Sequence, residues 1–262
     1  MECRNCGSSL DPRINYCPIC GAKVVRRRLS LRNIWNDINE QFFNLDNKLL
    51  KTFNHLFIKP ELVINSFIAG TRKRYISVIQ YFAIGLTFVG LQVFLMETFF
   101  ADLINAESTF LEGLNDAQIN ENNPFKDTSN NDFNKYLSVV YTLSVPFSAI
   151  ATWMAFNIVG ERRFNFTEHL VLNLYYSAET IIISAIVTIT LLCFRLDYAI
   201  ISISTGLFTL IYFYYVLKRV FKATLLQSIA YFLLTMVAFG VIFIVILLLM
   251  FILGFIYGYF IK

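Results

Sequence analysis

From residue 76 onward the chain is a series of long apolar runs with short polar breaks. The runs cover about 76–97, 136–160, 170–194, 198–217 and 229–258. Each is near the roughly 20 residues that an α-helix needs to cross a bilayer. The pattern predicts an all-α integral membrane bundle of about five transmembrane helices. Arg195, Leu196 and Asp197 alone join the third and fourth runs, which predicts a tight helical hairpin. Pro146 is expected to kink the second span. The long last run predicts tilt or a kink, with Gly240, Gly254 and Gly258 permitting close approach to neighbours.

Before residue 76 the pattern changes. Leu31, Ile34, Trp35, Ile38, Phe42, Leu45, Leu49, Phe53, Leu56 and Phe57 recur at helical spacing, with Arg32, Asp37, Glu40 and Lys48 elsewhere. Ser30 suits an N-cap, Asn44 to Asn47 a break, Pro60 a first helical turn and Gly70 a stop. Two readings stand together: helices on the membrane surface, or an amphipathic pack against the membrane domain. The expected organisation is a ribbon at 1–22, a basic linker at 23–29, amphipathic interfacial helices at 30–75, and a membrane domain at 76–262. That last part includes an acidic, asparagine-rich outer loop at 98–135, read first as a solvated connector.

Composition sharpens the picture. Hydrophobic residues make up 56 % of the chain and charged ones 15 %, against roughly 25 % charged in average soluble proteins. Charge placement predicts orientation, because Lys and Arg accumulate on the cytoplasmic side. With the N-terminus inside, the inner segments carry 18 Lys/Arg and the outer ones 4. The expected arrangement is therefore a multi-pass membrane protein with a cytoplasmic N-terminus. Arg26, Arg27, Arg28, Arg72, Lys73 and Arg74 are the basic residues expected at anionic lipid headgroups.

Two Cys-x-x-Cys pairs open the chain: Cys3 with Cys6, and Cys17 with Cys20, the latter followed by Gly21. Each pair can present two thiolates to one metal, and two pairs make the closed tetrahedral site of structural Zn2+. Four thiolates leave no open position for water, so catalysis at this metal is not expected. A segment this short requires metal to fold. Paired disulfides suit exported chains, whereas the N-terminal stretch lacks a signal-peptide pattern. Cys193 lies in an apolar run and reads as a small hydrophobe.

Polar residues inside the spans supply the remaining candidates. Glu179 lies roughly 14 Å along the third span at 1.5 Å per residue, and intramembrane carboxylates are functional candidates by default. No Lys or Arg falls inside any predicted span. Glu168, Tyr175 and Glu179 share one helix face, with His169 at the entry. That stripe can carry protons or cations; equally, Glu179 can be an acid hydrogen-bonded to Ser, Thr, Tyr or Asn157 across a helix interface. Gln80, Gln92, Ser144, Ser148, Thr152 and Asn157 read as interhelical glue. No phosphate loop, dinucleotide fingerprint, nucleophile elbow or His-Glu-x-x-His occurs.

Four stretches resemble a known family: the ribbon with Cys17-Pro-Ile-Cys20-Gly, residues Lys51 to Pro60, Ile68 to Tyr75, and Phe166 to Val171. They are similar to the uncharacterised bacterial zinc-ribbon polytopic membrane proteins of domain-of-unknown-function family 3667. In the family pattern a proline often follows the Arg-Lys-Arg-Tyr segment; here Ile76 takes that place. The resemblance covers residues 1–90 well and the rest loosely. It implies a polytopic bacterial inner-membrane protein and no particular reaction.

The expected function is a non-enzymatic inner-membrane adaptor or regulator, whose cytoplasmic ribbon docks a protein partner. Nucleic acid is disfavoured because anionic lipid competes for Arg26 to Arg28. A homo-oligomer is compatible with the sequence. The alternative is a transporter or channel component that uses Glu179 for proton or cation coupling, although no inverted repeat is visible. An intramembrane lipid enzyme ranks third, lacking a nucleophile–base pair.

Overall fold

The structure, a computed structural model, describes residues 2–11, 13–22, 24, 48–104 and 136–260, the side chains of 250 and 253–260 excepted. Two compact units are present, Met1–Asp46 and Asn47–Lys262. The expected N-cap at Ser30, the basic run at Arg26 to Arg28 and most of the acidic loop lie outside the described residues.

Among its described residues the second unit is helical throughout. Helix α1 covers 48–58 and α2 covers Pro60–Ile68. Pro60 separates them: a residue preceding proline is pushed out of the α region, and Lys59 sits at φ −141°. Pro60 itself occupies the first turn of α2, where its missing N–H costs nothing. At the other end Gly70 N–H donates to the Phe67 carbonyl (3.1 Å) and Thr71 N–H to that of Ser66 (2.9 Å), a Schellman closure.

Five longer helices follow: α3 Val78–Phe99, α4 Leu137–Ile158, α5 Phe166–Cys193, α6 Tyr198–Phe221 and α7 Leu225–Phe260. All five are long and apolar enough to cross a membrane, α7 over Leu225–Leu249. The chain is a multi-pass membrane protein. Helices α5 and α7 begin one turn before their apolar runs because polar caps precede those runs. Asn165 Oδ1 accepts from Glu168 N–H (3.0 Å), while Glu168 Oε2 accepts from Asn165 N–H (2.7 Å). Thr224 and Gln227 exchange the same pair of bonds ahead of α7, at 3.0 and 3.4 Å. Helix α4 continues through Pro146. The α5–α6 hairpin turns at Arg195, held at φ 55°, and restarts where Asp197 Oδ1 accepts from Ala199 N–H (2.8 Å).

Helix α5 is the centre of this unit and packs against α2, α3, α4 and α6, while α7 lies on α4 and α6. Its closest partner is α3. A side chain at Gly85 would begin 3.3 Å from the backbone of Ala178, tighter than ordinary van der Waals contact, so glycine there favours the close approach of the two helices. Nothing lies within 4 Å of an equivalent atom at Gly240. Among the described glycines the close approach is thus at one in the first span, and Gly254 and Gly258 fall outside the described side-chain positions.

Helices α1 and α2 dock on the bundle through Leu56, Val63 and Ile64, all buried in the common core. Their backbone ends are closed by other helices. Tyr212 Oη donates to the Leu56 carbonyl (2.9 Å) and Tyr215 Oη to that of Ile58. Asn65 (3.4 Å) and Arg163 (2.6 Å) both donate to the Val220 carbonyl near the end of α6. Arg219 grips Glu61 with two hydrogen bonds, 2.6 and 3.1 Å. Leu50, Phe57, Ile58 and Leu62 remain exposed on the same two helices. The described part of the interfacial region therefore contacts protein on one face and offers apolar groups on another.

Most of the expected interhelical glue is local. Ser144, Ser148 and Asn157 donate to carbonyls of α4 itself. Gln80 accepts from Ser77, and Gln92 contacts Met96 on its own helix. Short polar side chains reach the carbonyl three or four residues back more readily than a neighbouring helix. Thr152 is the exception, accepting from Asn173 Nδ2 of α5 (2.9 Å).

Gly85→Leu should force α3 away from Ala178 and lower stability by about 1–3 kcal/mol, the usual cost of overpacking. Thermal unfolding in detergent checks this. Gly90→Leu, where an added side chain begins in open space, should change little.

Candidate functional site

The first unit holds a four-cysteine site. Its two knuckles share one hydrogen-bond set: Gly7 N–H donates to the Cys3 carbonyl (2.8 Å) and Gly21 N–H to that of Cys17 (2.9 Å). Cys3 N–H then closes on the Ser8 carbonyl and Cys17 N–H on that of Ala22, both at 2.8 Å. Each turn needs a left-handed residue after its second cysteine. Gly7 (φ 73°) and Gly21 (φ 71°) supply it without side-chain cost. Gly7 follows Cys6 directly, so its matching role was already legible in the spacing.

The four sulfurs converge. All lie within 4.8 Å of one another, Cys3 to Cys20 at 3.6 Å and Cys6 to Cys17 at 3.7 Å. A tetrahedron with metal–sulfur bonds of about 2.3 Å has sulfurs roughly 3.8 Å apart, so the cage is close to metal-binding size. The cysteines are free thiols. The Ser8 hydroxyl, 3.3 Å from the Cys17 sulfur, together with the Cys20 N–H, draws the Cys17 thiol down to about 6. The Asn5 side chain and the Ala22 N–H lower Cys20. For Cys3, hydrogen bonds from the Cys6 and Asn5 backbone pull down, but burial and the neighbouring Cys20 and Cys6 thiols outweigh them and leave it raised. Two of the four are thus biased toward the thiolate that a metal requires.

The second candidate lies inside the membrane unit. Glu179 is fully buried. Tyr81 Oη of α3 donates to its Oε2, and its Oε1 has no partner among the described residues. The Tyr81 ring lies 6.1 Å from that of Tyr175, whose Oη donates to the Ile76 carbonyl (2.7 Å). Glu179 and Tyr175 therefore belong to one buried network, joined through Tyr81. The phenol of Tyr81 realises the hydrogen-bonded alternative for Glu179, while Asn157 stays on its own helix.

The rest of the expected stripe is placed elsewhere. Glu168 is committed to the α5 cap. His169 is buried in a box of Phe156, Phe164 and Phe221, with ring centroids at 5.2, 5.9 and 6.0 Å. Neither of its ring nitrogens has a partner among the described residues. Of the basic residues, Arg72 donates to the Phe67 carbonyl and stacks on its ring (3.9 Å), Arg74 lies over Tyr75 (5.4 Å), and Lys73 is exposed. Tyr81 and the Glu61–Arg219 pair carry no local sequence signal, because each joins residues far apart in the chain.

Tyr81→Phe should leave both Glu179 oxygens unpaired and destabilise the protein by about 1–3 kcal/mol. With Glu179→Gln as the second member, a double-mutant cycle of thermal unfolding should report a coupling between the two positions. Among curated proteins and among solved structures, none matches the chain. One family model, described as "Protein of unknown function (DUF3667)", matches residues 46–90. That segment takes in α1, α2, the Arg72–Arg74 cluster and the first part of α3, and over it the chain is similar to domain-of-unknown-function family 3667.

Proposed function

We propose that this protein is a non-enzymatic adaptor or regulator of the bacterial inner membrane, whose N-terminal cysteine module binds zinc and docks a protein partner in the cytoplasm. The convergence of four sulfurs within 4.8 Å carries the reading. Zn2+ is the metal of choice because a closed set of four thiolates suits it and offers no site for substrate. The metal would hold the two knuckles together, since among its described residues the module buries only Cys3, Leu10 and Cys17, with Ile14 and Val24 against them. Tyr16 and Ile19 stand 60 % and 74 % exposed on the second knuckle, apolar groups available to a partner. The cytoplasmic orientation is supported by the excess of Lys and Arg on the inner segments.

A second reading, a transporter or channel component, is favoured by one observation: a buried Glu179 amid membrane helices with one oxygen unpartnered among the described residues. Under it, Glu179→Gln abolishes pH- or cation-dependent flux in proteoliposomes, and a wild type without flux rejects it.

The adaptor reading is tested by affinity purification from native membranes with mass spectrometry. Wild type should carry ~1 zinc per chain by elemental analysis and retain a partner. Cys17→Ser should lose both while still inserting in the membrane. A variant that keeps every partner rejects the reading.

A further inference from the structure

Residues 71–77 connect α2 to α3 and carry Arg72, Lys73 and Arg74 immediately before the first span. Tyr75 in this loop is buried, and cationic groups surround it. The Arg74 guanidinium lies 5.4 Å and the Lys51 ammonium 5.9 Å from its ring centroid. His55 Nδ1 is 2.8 Å from its hydroxyl, which leaves Nε2 as the second polar atom of that imidazole. Lys51 and His55 stand one turn apart on one face of α1.

Among the described residues this charge is uncompensated: no carboxylate is within ion-pair distance of Lys51, Lys73 or Arg74. Glu61 is engaged by Arg219 and Glu168 by the α5 cap. Contact with a buried aromatic ring also restrains the long Lys51 and Arg74 side chains, so less freedom is lost when they bind.

We propose that Lys51, His55 and Arg74, organised around Tyr75 with Lys73 beside them, form a binding site for an anionic phosphate group, supplied by a phospholipid headgroup. A guanidinium fork, an ammonium and an imidazole N–H are together suited to phosphate oxygens. The lipid source follows from position. Val78 begins the span three residues after Tyr75, and Ile79 is 72 % exposed one turn from the loop. Leu50, Phe57, Ile58 and Leu62 add exposed apolar surface on α1 and α2. Cationic groups bordered by apolar ones match a headgroup above its acyl chains. The site goes beyond the proposed function and is independent of the ribbon.

Native mass spectrometry of the full chain in detergent tests it, with phosphatidylglycerol and phosphatidylcholine of the same acyl chains as probes. Phosphatidylglycerol should be retained over phosphatidylcholine. Retention should fall about 5- to 10-fold in Arg74→Gln and in Lys51→Gln, less in Arg74→Lys, and stay unchanged in Arg162→Gln, an exposed arginine outside the cluster. Inorganic phosphate serves as competitor. Failure to displace the lipid assigns the site to the headgroup, and displacement assigns it to the phosphate group itself from a soluble source. Equal retention of both lipids, or an equal loss in Arg162→Gln, overturns the proposal. Cys17→Ser should keep the lipid, so failure of the adaptor reading leaves this result standing.

Discussion

The close approach of α3 and α5 at Gly85 and Ala178 sets the geometry of the membrane unit. Tyr81 lies one turn before Gly85 on the same face of α3, and Glu179 follows Ala178 on α5. Once the backbones are this near, a phenol from one helix meets the carboxyl of the other. A bulkier residue at position 85 would separate them and strand a buried acid in an apolar interior, where an unpaired polar group is costly. The remaining helices arrange themselves on α5 by similar single links. Thr152 of α4 meets Asn173, and Tyr176 donates across to the Thr209 carbonyl of α6 (2.9 Å).

Tyrosine connects this bundle more than serine or threonine does. Its ring packs among apolar neighbours while its hydroxyl reaches a carbonyl that helix geometry leaves unpaired. Tyr175, Tyr212 and Tyr215 each close a backbone carbonyl in or near the α1–α3 region, which ties the short helices to the spans directly. Serine and threonine hydroxyls donate mostly to carbonyls of their own helices, as Ser144 and Ser148 do, although Thr152 and Thr52 also accept from Asn173 and from the Ile76 N–H. In lipid, where no solvent can satisfy a stray carbonyl, the longer phenol is the better connector.

The cysteine module follows different physics. Its apolar interior is a handful of side chains, so the convergent sulfurs, rather than packing, are the feature around which it is built. Ser8 and Asn5 stabilise sulfur charge from within the knuckles themselves, and the duplicated turn lets a few residues place four ligands. The membrane unit instead relies on helices that meet from distant parts of the chain.

That contrast separates what was legible in the residues from what was not. The spans, the Pro60 start, the Gly70 stop, the Arg195–Asp197 turn and the paired cysteines all rest on interactions within a turn or two of the backbone, and each could be read from local spacing. The Asn165–Glu168 cap rests on equally local spacing but was not read from it, and it explains why Glu168 does not share a site with Glu179. The partner of Glu179 was not legible, because Tyr81 stands 98 residues away. Nor was the aromatic box around His169, assembled from α4, α6 and the loop before α5. Periodicity tells which residues share a helix face; it does not tell how far each helix is rotated about its axis or which neighbour that face meets. Those choices were made by close packing, above all where a glycine on α3 admits the backbone of α5.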